Sequence, residues 1–288
     1  MNKFSELVKI GTCSWKYPSW KGILYSKEVG SNYLAEYARK YNTVEIDQWF
    51  WSLFPGNRIV LPKPDVVTEY ISVIPNQFKF SIKVPNAITL THHYRKDKKM
   101  PLKKNPFFLS NDVFLEFLKL LHPMRKHIGA FIFQFEYLNR QKMPNQTIFQ
   151  EQFSTFFGKC PTGFNYCLEI RNPNYLNEKY FRFLQTCHLS HVFLQGYYMP
   201  SIFNLYEKFR LLVQGFSLIR LIGSDRKGME KKSQGAWNQL REPKDKELNQ
   251  LKFMINDLLS REVQLTVNVN NHYEGSAPLT IERLIHLF

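Results

Sequence analysis

The sequence predicts an α/β fold of the single (β/α)8 TIM-like barrel type, one domain over residues 1–288. Three observations lead there. Short apolar strands alternate with amphipathic helices eight times along the chain. Several strands carry ionic residues on one face only: in Thr43-Val44-Glu45-Ile46-Asp47, Val44 and Ile46 share one face while Glu45 and Asp47 share the other. The first strand-to-helix turn, Gly11-Thr12-Cys13-Ser14-Trp15, lacks the glycine fingerprint of an open dinucleotide-binding sheet.

The elements follow in order. Residues 8–13 read as the first strand, and Ser31 as the N-cap of a helix that carries Leu34, Tyr37 and Ala38 to residue 41. The second strand is 43–47, followed by an aromatic loop and a helix at 64–74. Strand three, 78–83, sets Phe78, Phe80 and Ile82 against Lys79, Ser81 and Lys83. After a long basic loop, Ser110 caps a helix through Phe114, Phe117, Leu118 and Leu121. Strand four, 128–134, is almost wholly apolar, as a strand buried on both faces should be. A helix at 148–157 leads to strand five at 166–169, where Glu169 and Arg171 oppose Leu168 and Ile170. A helix at 180–187, strands at 191–195 and 216–221, and a long amphipathic helix at 244–261 come next. Strand eight at 264–269 and a helix at 279–288 close the chain.

Composition narrows the classes. The 25 Phe and 15 Tyr residues supply ample core material, and no apolar stretch is long enough to span a bilayer. The first residues lack the apolar core of a secretory signal, so a cytoplasmic protein with no membrane partner is expected. Cys13, Cys160, Cys167 and Cys187 are scattered without metal or disulfide spacing, and Cys13 near a strand end is the one to watch. The formal charge of +15 favours an anionic partner: a phosphate-bearing small molecule or nucleic acid, against the bland reading of a lysine-rich solubilising surface. The sequence does not fix an oligomeric state.

Several segments together carry a family resemblance. They include Ile10-Gly11-Thr12-Cys13-Ser14-Trp15-Lys16-Tyr17 with Trp20-Lys21-Gly22, then Tyr37-Ala38 with Thr43-Val44-Glu45-Ile46-Asp47. Phe78-Lys79-Phe80-Ser81-Ile82-Lys83 with Ile88-Thr89 and His92 follows, then Leu168-Glu169-Ile170-Arg171 and Ile219-Arg220-Leu221-Ile222-Gly223. The last runs from Val269-Asn270-Asn271-His272 to Gly275-Ser276-Ala277-Pro278. In order and spacing the chain resembles the YecE-like family, the domain of unknown function numbered seventy-two, from about residue 10 to the C-terminus. The resemblance implies a TIM-like barrel and brings no established activity with it. Asp47 in place of a frequent Asn, the run Gln48-Trp49-Phe50-Trp51, and Phe133-Gln134-Phe135-Glu136-Tyr137 without the usual prolines depart from the pattern at the expected mouth.

Barrels of this kind draw their chemistry from strand C-terminal ends. Strand parity turns Glu45, Asp47, Lys83, Gln134, Glu136, Glu169, Arg171, Arg220, Asn268 and Asn270 inward. Glu45, Asp47, Glu169 and Lys83 are the catalytic candidates, as acids, bases or, for lysine, an electrophile. His92, Arg171, Arg220, Arg226, Asn268, Asn270 and His272 are the candidates for holding the substrate or its anion, with Arg226 in a basic loop that follows strand seven. Among the rim aromatics Trp15, Tyr17, Trp20, Trp49, Phe50 and Trp51, the rings Trp15 and Trp20 read as core-facing; Trp49 and Trp51 are the better contacts, with Trp15 and Tyr17 also candidates. No cofactor is expected and no metal ligand is assigned. A divalent metal is the weighed alternative, because His92, His93 and His272 join the carboxylates without metal-ligand spacing and among opposing cations. The expected function is an enzyme-like barrel with an anionic substrate; the rivals are nucleic-acid binding through the basic loops at 92–104 and 223–232, and a structural ionic plug.

Overall fold

A computed structural model of the chain describes residues 7–26, 32–95, 97 and 99–288. The described residues form ten strands: β1 (Val8–Thr12), β2 (Thr43–Ile46), β3 (Leu53–Phe54), β4 (Arg58–Ile59), β5 (Lys79–Lys83), β6 (Ile128–Phe135), β7 (Tyr166–Ile170), β8 (Ser190–Gly196), β9 (Phe216–Gly223) and β10 (Gln264–Val269). Eight of them close a parallel barrel in the order β1-β10-β9-β8-β7-β6-β5-β2. β3 and β4 form a small antiparallel hairpin above it, between β2 and the next helix. The helices are α1 (Tyr33–Lys40), α2 (Pro64–Ser72), α3 (Asn86–Thr89), α4 (Asn111–Leu120), α5 (Gln146–Phe157), α6 (Glu178–Thr186), α7 (Ile202–Phe209), α8 (Arg226–Ser233), α9 (Asp245–Ser260) and α10 (Ala277–His286).

Short polar side chains start most of the outer helices, because an N-cap oxygen satisfies backbone N–H groups that the first turn leaves open. Ser110 accepts from the Val113 N–H, Asn145 from Ile148 and Asn177 from Tyr180. Ser31, the expected cap of the first helix, lies outside the described residues; Asn32 caps α1 through bonds from the Leu34 and Ala35 N–H groups. Two elements correct the sequence reading. The segment after β9, expected as a basic loop, is α8: the Asp225 carboxylate accepts from the Gly228 N–H, and Arg226 pairs with Glu230 one turn on. α7 fills the connection after β8, where no helix was expected; its Ile202, Leu205, Tyr206 and Phe209 recur at helical spacing and are buried.

Strand alternation divides the core in two. Outward side chains meet the helices in a shell dense in aromatic rings, with Phe131, Phe133 and Phe135 packed among Phe114, Phe149, Phe153, Phe156 and Tyr166. Inward side chains stack in layers. Ala130, Ile132, Cys167, Val192 and Leu218 form a small apolar cluster of their own, each almost wholly buried. One inward position further along the strands, the interior becomes ionic. No helix among the described residues is long and apolar enough to cross a membrane.

Candidate active site at the barrel mouth

Strand register sets Gln134 beside Glu169 and Arg220 beside Asn268, and the Arg220 side chain reaches across to the first pair. Glu45 joins them from β2. Arg220 is the hub. Its Nε and Nη2 donate to the two Glu45 oxygens at 2.8 Å each, and its Nη1 donates to Glu169 Oε2 at 2.5 Å and to Gln134 Oε1 at 3.5 Å. Arg171 donates to the other Glu169 oxygen through Nε at 3.0 Å and reaches Gln134 through Nη2 at 3.0 Å. Asn268 Nδ2 donates to Glu45 at 3.3 Å, while its own carbonyl oxygen is enclosed with no partner among the described residues. Every oxygen of Glu45 and Glu169 therefore faces a guanidinium. Burial raises the Glu169 carboxyl, but Arg220, Arg171 and Lys83 outweigh it and hold it at about 2.

Asp47 and Lys83 stand one step nearer the mouth. Glu45 pairs in register with Ser81 and Ile46 with Ile82; Lys83 ends β5 and Asp47 follows the end of β2 in helical backbone, near enough that each charge shifts the other's pKa. Lys83 is 8% exposed and makes no hydrogen bond or salt bridge among the described residues; its Nζ lies 4.2 Å from the centre of the Phe50 ring. Burial and nearby Arg220 lower its pKa against the pull of Glu45, Glu169 and Asp47. Asp47, half-buried, is shifted the other way, first by burial and then by Glu45. Cys13 borders the same space with Leu194 and Ile222, and burial pushes its thiol pKa well up, which keeps it a neutral lining group. Arg171 is partly exposed, with its guanidinium 4.8 Å from the Tyr197 ring centre.

Other candidates lie elsewhere. Glu136 is at the rim, paired with Lys142 at 2.6 Å, instead of in the ionic layer. Asn270 accepts from the His272 backbone and meets its Nδ1 at 2.5 Å; the far side of that ring faces Glu230 at 3.2 Å. Burial lowers the His272 pKa in spite of Glu230. His92 is buried against Thr91 and its pKa is lowered by burial and by Lys142, whereas His93 turns to Asn57, so the two rings do not converge. Arg226 is an exposed partner of Glu230, Asp225 occupies the α8 N-terminus, and Arg220 is engaged below with Glu45 and Glu169. Trp15 is 1% exposed, packed edge-on against Tyr70, and Trp49 stacks on the same ring at 5.9 Å, so neither is open to a ligand. Tyr17 leans on buried Trp20. Trp51 is 59% exposed and meets exposed Tyr94 at 5.9 Å. Among the described residues no group of three or more His, Cys, Asp or Glu side chains is placed to hold a metal ion.

Phe50, one of the rim aromatics expected from sequence, lies under the Lys83 amine. Tyr197 is the site residue that sequence reasoning missed; its one signal was its place after Gly196, beyond the expected end of that strand.

The architecture is that of a TIM-like parallel barrel with an ionic layer beneath its mouth. The chain belongs to the family described as Protein of unknown function DUF72, whose model matches residues 9–288. It is 25% identical over 170 residues to the UPF0759 protein YecE of Escherichia coli K12, and equally to that of E. coli O157:H7. That match takes in 59% of this chain and 50% of the relative, so the chain spans about half the length of the curated relatives it matches. Among solved structures it is similar to a DUF72 family protein from Enterococcus faecalis V583, with a TM-score of 0.66 and 17% identity over 98% of this chain and 96% of that one. A DUF72 family protein from Thermotoga maritima MSB8 matches with a TM-score of 0.62 and 17% identity over 97% and 99%. These two likenesses speak to the fold.

Proposed function

We propose that the mouth is an enzyme active site for acid–base chemistry on a small anionic, phosphate-bearing substrate. One observation supports this above the rest: Asp47 and Lys83 stand together over a layer whose carboxylates are already paired with arginine, and neither has a salt-bridge partner of its own among the described residues. Their surroundings move the two pKa values towards each other, which suits a pair that passes a proton to and from substrate near neutral pH. Arg171 is the anion's anchor. Its Nε and Nη2 face Glu169 and Gln134, and the Nη1 edge is left for an oxyanion. Hydrolysis, elimination and isomerisation all fit this set of groups.

Calorimetric titration with dihydroxyacetone phosphate tests the reading. Arg171→Gln should weaken binding about tenfold, the worth of one charge-assisted hydrogen bond. Asp47→Asn should bind as the wild type does. Equal affinity in Arg171→Gln and the wild type would sink the proposal. A second reading, single-stranded nucleic acid, draws on the exposed Trp51–Tyr94 pair beside the basic loop. In the same calorimeter it requires an oligonucleotide to bind with an affinity that falls steeply as salt rises.

A further inference from the structure

We infer that Lys83 is a nucleophile that forms an imine with a carbonyl-bearing substrate, an inference that rests on the mouth being an active site. The reason lies in how the ionic layer is shared out. Two arginines take all four oxygens of Glu45 and Glu169, and among the described residues Lys83 makes no salt bridge with these carboxylates or with Asp47. Its amine ends on an aromatic face and at the mouth, not in a plug. A lysine kept only for charge balance would be expected to pair; this one is kept apart from the pairs.

Two further features fit a bound carbonyl compound. The Asn268 carbonyl oxygen is buried, unpartnered and in the same layer, an acceptor waiting for a hydroxyl or other donor on a ligand. Asp47 stands next to Lys83, with its carboxyl shifted towards the protonated form by burial and by Glu45. Burial and Arg220 likewise favour the neutral, nucleophilic amine.

The step balances without a redox partner. The Lys83 nitrogen lone pair forms the C–N bond while the C=O π pair moves to oxygen, which takes a proton from Asp47. The nitrogen returns a proton to the Asp47 carboxylate. Asp47 then gives that proton to the hydroxyl oxygen, which departs as water while the nitrogen lone pair forms the C=N bond, and the last N–H proton passes to the Asp47 carboxylate, restoring its starting state.

The test is reductive trapping: the whole chain with dihydroxyacetone phosphate and sodium cyanoborohydride, followed by peptide mass mapping. The expected result is an adduct on the Lys83 peptide that forms at least about tenfold faster than on surface lysines, as a buried amine poised as nucleophile should. It should be absent from Lys83→Arg, which circular dichroism should show folded, and slowed in Asp47→Asn. Adducts confined to surface lysines would overturn the inference. If calorimetry shows the probe bound while Lys83 stays unmodified, the imine falls and the acid–base reading stands. If the phosphate compound fails to bind but glycolaldehyde modifies Lys83 first, the imine stands and the phosphate anchor falls.

Discussion

Arg220 directs three of its nitrogens at two carboxylates that come from β2 and β7, so a single side chain ties opposite parts of the barrel wall together. Removing one member of such a buried set leaves uncompensated charge, which costs far more than the set contributes net. Arg220→Gln should lower stability by about 3–5 kcal/mol in urea unfolding. A loss below about 1 kcal/mol would mean that the network does not hold the barrel. The inward parity of Glu45, Glu169, Arg220 and Asn268 was readable because strand alternation is a local property. Their pairing was not, since Arg220 and Glu45 stand 175 residues apart and meet only through barrel closure. Trp49 and Trp51 show the same limit. Two tryptophans in one short run look alike in sequence, and only the turn that stacks Trp49 on Tyr70 turns Trp51 outward.

At the scale of elements, the ends of β8, β9 and β10 crowd together at the mouth, and glycine permits it. Gly223 has φ +87, and a Cβ there would lie 2.3 Å from the His272 carbonyl oxygen. Gly56, in the turn of the small hairpin, has φ +77 but open space around it. Gly56→Ala should therefore cost only the left-handed backbone penalty, about 1 kcal/mol. Gly223→Ala should cost several times that in the same denaturation experiment, because backbone must shift. Similar losses at both positions would refute the close packing of these strand ends. Although α7 was overlooked in spite of its apolar spacing, the eight barrel strands and most helices with long apolar periods were legible in the sequence. α8 was not, because its residues Arg226 to Ser233 are nearly all polar and Gly228 reads as a loop residue until Asp225 is seen capping the turn.

For the molecule as a whole, acid should weaken the fold in two stages. His191 is buried on the outer face of β8 among Tyr180, Phe181 and Phe193, and burial lowers its pKa from 6.5 to about 3 despite the pull of Glu169. The unfolded chain binds that proton first, so stability is full above 6.5 and declines as pH falls towards 3. Glu169, depressed from 4.5 to about 2, adds a second loss that begins below 4.5. His191→Phe, which keeps a ring in an aromatic pocket, should flatten the upper stage and leave the lower one, as read by urea midpoints across pH. An unchanged upper stage would show that another group governs it.

The apolar layer formed by Ala130, Ile132, Cys167, Val192 and Leu218 has a consequence for traffic. It packs the interior between β6, β7, β8 and β9 below the charged residues, so on that side the barrel is filled with side chains. On the reading we propose for the mouth, a substrate that enters beside Lys83 leaves by the way it came, so release of product and entry of the next substrate share one path.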